Sequence, residues 1–236
     1  MQPNLVVDFG NTRLKMALFR EKELLDFISG PSDSAADLAS DLLKGQTPRG
    51  VIVSSVLKEI QFPFPVTVQF NHQVKLPIQL DYKTPETLGL DRLANVCGAA
   101  EIFPGQNVLV MDAGTCLKLD ILTKDRHYLG GSIGPGLQMR YRALHTFTDK
   151  LPLVEHVQPT PRVGQSTIES IRSGVFNGMV AEMNGLAAEY AKDYPGLNII
   201  LTGGDTDSFA EALNFPIFAD RFLTLRGLNA ILNQYA

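Results

Sequence analysis

A chain of 236 residues, 44% hydrophobic and 19% charged, has enough apolar material to bury one large core or two smaller ones, which excludes intrinsic disorder. A net charge of −4 lacks the basic footprint that grips nucleic acid or an anionic membrane, so the expected partner is a small molecule. The start MQPNLVVDFGNT carries no basic-then-apolar leader, and Cys97 and Cys116 match neither a metal-ligand spacing nor a disulfide framework, so a cytoplasmic protein is expected.

Short apolar runs at 5–8, 14–19 and 23–29, parted by Gly10-Asn11 and by Arg20-Glu21-Lys22, predict a three-stranded meander. A helix follows over 32–44, with Leu38, Leu42 and Leu43 at helical spacing and Gly45 as its stop, and then a β-branched strand over 50–56. Prolines at 63, 65, 77 and 85 keep the next stretch in loop and edge strand. A helix is expected from Thr84-Pro85-Glu86 through Ala100, with Leu90, Leu93, Ala94 and Cys97 on its apolar face.

The segment Val6-Val7-Asp8-Phe9-Gly10-Asn11-Thr12-Arg13-Leu14-Lys15 then reappears as Val110-Met111-Asp112-Ala113-Gly114-Thr115-Cys116-Leu117-Lys118. With Asn11 as one extra residue, both read apolar-apolar-Asp-x-Gly-Thr-x-Leu-Lys, and each is followed by further strand-like sequence. The chain reads as internally duplicated. The second half continues with a glycine-dense turn at 130–136, a helix over 136–145, a proline-rich loop, a long helical pattern over 166–192 and a buried strand over 198–201 ending in Thr202-Gly203-Gly204-Asp205. Strands joined by tight turns and then helices, twice over, predict an α/β protein of two lobes, 1–105 and 106–236, with mixed sheets flanked by helices and a hinge near Gly105.

Asp8 and Asp112 each end an apolar strand two residues before a glycine. Such a turn lets backbone N–H groups approach phosphate oxygens, while the carboxylate suits a hydrated Mg²⁺ or a monovalent cation, and Lys15 adds a point charge. One copy alone reads first as a hairpin device, but two matched copies are a means of clamping a nucleotide between two lobes. The glycines at 130–136 either face an anion or permit close packing, and Thr202-Gly203-Gly204-Asp205 lets backbone lie against a ligand such as adenosine. No G-x-x-x-x-G-K-[ST] loop is present, so any use of ATP rests on the twin hairpins. Gly89-Leu90-Asp91-Arg92 sets an acid beside a base near a helix start. That acid either complements the helix N-terminus or accepts a proton from a substrate hydroxyl while the guanidinium grips an acidic substrate. His72, His127, His145 and His156 form no i, i+4 pair and are expected on loops or the surface.

Four blocks together make the chain resemble the type III pantothenate kinases of bacteria over nearly its full length: Asp8 to Lys15, Gly89 to Arg92, Asp112 to Thr115, and Gly130-Gly131-Ser132-Ile133-Gly134-Pro135-Gly136-Leu137. The resemblance implies two duplicated ribonuclease-H-like domains of the actin, sugar-kinase and Hsp70 architecture, a homodimer, and phosphorylation of pantothenate by ATP with Mg²⁺ and a monovalent cation, K⁺ or NH₄⁺. It assigns Asp8, Phe9, Gly10, Asn11, Thr12, Arg13, Leu14, Lys15 and Thr115 to the nucleotide, with Asp8 near the phosphate-bound metal, and Asp112 to the monovalent cation. Asp91 is the implied general base, and Tyr82, Gly89, Leu90, Asp91, Arg92 and, across the dimer, Thr167 line the pantothenate pocket. The second block departs from the family pattern, with Cys116 in place of an alanine and Lys118 in place of a threonine. If Lys118 points toward phosphate, dependence on a separate monovalent cation weakens. Competing expectations are another small-molecule kinase of the same architecture, disfavoured by the short chain and the Gly-Leu-Asp-Arg block, and a catalytically silent accessory protein, which would have lost at least one of Asp8, Lys15, Asp91, Arg92 and Asp112.

Overall fold

Apolar residues at alternate positions of the first 30 residues drive the opening meander. A computed structural model describes residues 2–10, 13–55 and 62–235. In it β1 (Asn4–Phe9), β2 (Leu14–Arg20) and β3 (Glu23–Gly30) run successively antiparallel. Leu5, Val7, Phe9, Leu14, Met16 and Leu18 share one sheet face and meet Ala35, Ala39, Leu42 and Leu43 of α1 (Ala35–Leu43). Each side chain buried this fully contributes about 1.5–3 kcal/mol for the larger apolar types. The strand β4 (Gly50–Ser55) returns parallel to β1, and β5 (Val68–Gln69) lies parallel to β4, giving the order β3-β2-β1-β4-β5. Val56, read as the end of β4, lies outside the described residues.

The second copy repeats that plan. Its strands are β7 (Val108–Ala113), β8 (Cys116–Leu122), β9 (His127–Pro135), β10 (Asn198–Thr202) and β11 (Ile217–Ala219), in the order β11-β10-β7-β8-β9. As in the first sheet, the central hairpin β7–β8 is antiparallel and the two strands beyond it are parallel. Its core is closed by α3 (Leu137–Thr146), by α4 (Thr167–Asp193), which buries Ile171, Val175, Phe176, Met179, Met183 and Ala187 at helical spacing, and by the short α5 (Thr206–Phe209), which buries Phe209. The short β6 (Gln79–Leu80) pairs with His127 and Tyr128, the first residues of β9.

The chain divides into two units that are not consecutive. One holds residues 1–104, 126–128 and 222–236; the other holds 105–125 and 129–221. The division expected at 105/106 therefore differs at the C-terminus, where α6 (Leu223–Leu232) packs on α2 (Leu90–Ile102) of the first unit. The two helices touch backbone to backbone: a Cβ on Gly227 would overlap the Ala94 carbonyl, and one on Gly98 would lie 2.6 Å from the Leu223 oxygen. Asn229 of α6 also ties down the start of β1 and the turn between β2 and β3, accepting from Asn4 Nδ2 (2.9 Å) and donating to the Glu21 carbonyl (2.6 Å). Two expected boundaries shift. Pro85–Thr87 makes only a 3₁₀ turn, because Leu88 turns extended to bury its side chain, and the helix begins at Leu90. The stretch His127 to Ile133 is strand, as its sequence reads, and β9 runs on to Pro135, so the glycine-dense residues also read as a turn are strand; the lack of a side chain at Gly131 lets it press onto the Leu119 carbonyl.

Candidate active site

In the first hairpin, register sets Asp8 of β1 opposite Lys15 of β2 on one side and opposite Ser54 of β4 on the other. Asp8 is half-buried, and Arg13 and Lys15 are exposed. The turn closes through the Gly10 amide, which donates to the Arg13 carbonyl (3.2 Å). Phe9 and Leu14 also face each other across the hairpin, but they are 2% and 0% exposed and belong to the core. Strand alternation thus leaves those two expected nucleotide contacts with backbone atoms alone to offer. Asn11 and Thr12 lie outside the described residues.

Asp91 stands exposed in the first turn of α2, its Oδ1 accepting from the Arg92 amide at 2.9 Å. A carboxylate there is favoured by the positive end of the helix dipole. Gly89, the residue before the helix, leaves room for it: a Cβ at Gly89 would come within 2.6 Å of that same oxygen. His72 Nε2 contacts the Leu88 carbonyl at 2.7 Å and so braces the approach to the helix. Arg92 is only 3% exposed, and its guanidinium carbon lies 5.8 Å from the centre of the Tyr82 ring, which stacks in turn on the buried Tyr128 at 5.9 Å. The guanidinium expected to grip an acidic substrate is therefore buried and seated on an aromatic face. Tyr82 is reached from β6, whose pairing with β9 is extended by the Asp81 amide donating to the Tyr128 carbonyl (2.9 Å) and by an Asp81–His127 ion pair (2.8 Å). The hydrogen bond from His127 is the main reason the Asp81 carboxyl sits below its ordinary range. His127 opens the strand its sequence predicts, but its acid partner Asp81 lies 46 positions away and has no sign in the neighbouring sequence.

In the second unit, Asp112 of β7 faces Lys118 of β8 in the register that joins Asp8 to Lys15, and here the ion pair closes at 2.8 Å between Oδ2 and Nζ. Thr202 of β10 stands where Ser54 stands in the first copy. Thr115 is exposed in the turn, and its carbonyl accepts from the Gly136 amide (3.2 Å). The loop after β10 docks on this hairpin, the Asp205 amide donating to the Ala113 carbonyl at 2.9 Å. Gly203 permits that approach, since it holds φ +100° and any side chain would overlap Ala113. Burial and, secondarily, the negative Asp112 raise the Asp205 carboxyl above its usual range. The sequence places Asp205 at the end of a glycine turn suited to lie against a ligand such as adenosine, but gives no sign of its burial beside Asp112. Thr167 is exposed at the start of α4, next to Ser166, whose hydroxyl accepts from the Glu169 amide (3.2 Å). Among the described residues, no group of three His, Cys, Asp or Glu could hold a metal by itself, and no helix is long and apolar enough to cross a membrane.

Solved structures share this fold over nearly the whole chain. A candidate Baf family transcriptional activator from Campylobacter jejuni aligns with TM-score 0.62 at 20% identity, covering 98% of each chain. A Streptomyces griseus ROK family glucokinase, solved with glucose and AMPPNP, aligns with TM-score 0.51 at 14% identity, covering 99% of each. Duplicated sheets of this order, each with an Asp-to-Lys hairpin at its centre, give the chain the fold of the actin, sugar-kinase and Hsp70 architecture. Residues 4–189 match the family model for type III pantothenate kinase. The chain is also 43% identical to the type III pantothenate kinase of Phocaeicola vulgatus over 237 residues (98% of each chain) and 41% identical to that of Bacteroides fragilis (98% and 97%). The chain belongs to the type III pantothenate kinase family.

Proposed function

We propose that this chain transfers the γ-phosphoryl group of ATP to the primary hydroxyl of pantothenate, the opening step of coenzyme A biosynthesis, with Asp91 as general base, and that it works as a cytoplasmic homodimer. The observation that carries the reading is the start of α2. There a carboxylate is exposed, oriented by the next backbone amide, and backed by the Arg92–Tyr82–Tyr128 stack. It can accept the hydroxyl proton as the new P–O bond forms and the bond to the β,γ-bridging oxygen breaks, releasing ADP. Arg92 acts at short range on a substrate group that reaches Tyr82. Gly89 and Leu90 are assigned to the pantothenate pocket with them. Thr167, exposed near Val163 (78% exposed) and Ile168 (44%), is assigned to the pantothenate of a partner copy.

The hairpin of residues 8–15 and Thr115 are assigned to the nucleotide, Lys15 and Arg13 by side-chain charge and Phe9 and Leu14 by backbone. A divalent ion suits Asp8: a half-buried carboxylate on the hairpin is the kind of ligand Mg²⁺ takes when phosphates and water supply the others. When bound, Mg²⁺ neutralises charge on the phosphates.

The test is Asp91→Asn, which keeps shape and removes the base. Turnover is expected to fall roughly 10²–10⁴-fold with ATP binding intact. Near-normal pantothenate-dependent release of ADP by that variant would remove Asp91 from the base role.

A further inference from the structure

Both hairpins set an aspartate opposite a lysine, yet the two lysines differ in setting. Lys15 is exposed, whereas Lys118 and Asp112 keep only 15% and 13% of their side-chain surface, with Nζ 2.8 Å from Oδ2. The other Asp112 oxygen faces the glycine loop after β10, where a Cβ on Gly203 would lie 2.6 Å from Oδ1. One oxygen therefore holds an ammonium group and the other lies against backbone. A free monovalent cation, which the family resemblance implies at Asp112, does not suit this arrangement. An ion brought to within about 4 Å of the lysine would bind on the order of 10³-fold more weakly than beside Asp112 without it, at the effective dielectric of a protein surface.

We infer that Lys118 is a tethered replacement for the monovalent cation, its ammonium group supplying at Asp112 the charge and N–H donors that NH₄⁺ would bring, so that this kinase works without potassium or ammonium. A lysine head and an ammonium ion carry the same charge and the same kind of donors, and the lysine is held at fixed high local concentration by strand register. The inference rests on the kinase reading above, because the charge matters only beside a bound triphosphate.

The experiment measures pantothenate-dependent ADP release by the full chain with tetramethylammonium as the sole monovalent cation, then with K⁺ or NH₄⁺ added. Wild type is expected to change by less than about twofold. Lys118→Thr is expected to lose roughly 10²-fold without added cation and to recover with K⁺ or NH₄⁺, the scale of one removed electrostatic contact. A second readout is the melting temperature with a non-hydrolysable ATP analogue, which K⁺ should raise in Lys118→Thr and leave unmoved in wild type. Potassium-stimulated wild-type turnover overturns the inference and leaves the kinase reading standing, as does a folded Lys118→Thr that no cation restores. Should Lys118→Thr fail to fold, the wild-type arms decide alone. Absence of wild-type turnover in every cation refutes the kinase reading instead, and the melting shift then decides whether Lys118 excludes K⁺.

Discussion

Replacing Gly89 with alanine tests whether the Asp91 carboxylate must sit where the start of α2 holds it. Gly89 has φ −57° and ψ 130°, which any residue adopts, so the substitution adds no backbone strain. The new Cβ would lie 2.6 Å from Asp91 Oδ1, about 0.8 Å inside the 3.4 Å at which ordinary contact begins, while the next atoms stand at 3.8 Å. The crowded atom is the end of a short, exposed side chain, so Asp91 yields and the backbone does not. Swinging it away lengthens or breaks the 2.9 Å bond from the Arg92 amide. Because the carboxylate is open to solvent, which replaces that donor, the loss of stability stays below about 1 kcal/mol, or about 2–4 °C in melting temperature for a chain of this size. Catalysis is more sensitive, since displacing a reacting group by about 1 Å costs on the order of 10²-fold. Gly89→Ala is therefore expected to lower kcat by about 10–100-fold in a coupled ADP-release assay, with KM for ATP unchanged. Wild-type kcat in a folded Gly89→Ala variant would refute the claim that Asp91 acts from this position, and a large fall in melting temperature would show that Gly89 serves the fold instead.

Gly227→Ala should act in the opposite way, because its Cβ would meet the Ala94 carbonyl, a backbone atom that cannot swing aside. A loss of about 1–3 kcal/mol is expected, seen as several degrees in a thermal melt, and a variant melting within a degree of wild type would contradict a backbone-to-backbone crossing of α2 and α6. His156 stacks on Phe176 at 4.8 Å and is held below its ordinary pKa of 6.5, first by burial and then by the positive Arg172. Its folded pKa is depressed, so the unfolded chain takes up the proton first: stability is unaffected above pH 6.5 and declines as pH falls from there toward the folded value. His156→Phe keeps the stack and removes that decline, which melts at about pH 7.5 and about pH 5.5 would detect; equal pH slopes in the two proteins would exclude His156 as the cause.

The duplication was legible because it is local. Aspartate, glycine and lysine at fixed offsets in a short antiparallel hairpin leave little choice of register, and Asp8 meets Lys15 as Asp112 meets Lys118. Strand alternation, applied strictly, would also have moved Phe9 and Leu14 out of the side-chain contacts, since both share the face of Leu5 and Val7. Long-range features were not legible. Nothing near Asp205 in sequence reveals that its amide docks on Ala113 across the sheet, and nothing near His127 reveals Asp81. The allegiance of α6 is of the same kind: it follows the second copy in the chain but packs on the first unit through Gly98 and Gly227, two glycines 129 positions apart. Lys118 lies between these cases. Its offset from Asp112 puts it on the strand opposite, so a pairing is implied, whereas the burial that turns a surface charge into a fixed counter-ion is not set by that spacing. Register can be read from spacing alone, but the electrostatic consequence of a charge depends on what the rest of the chain folds over it.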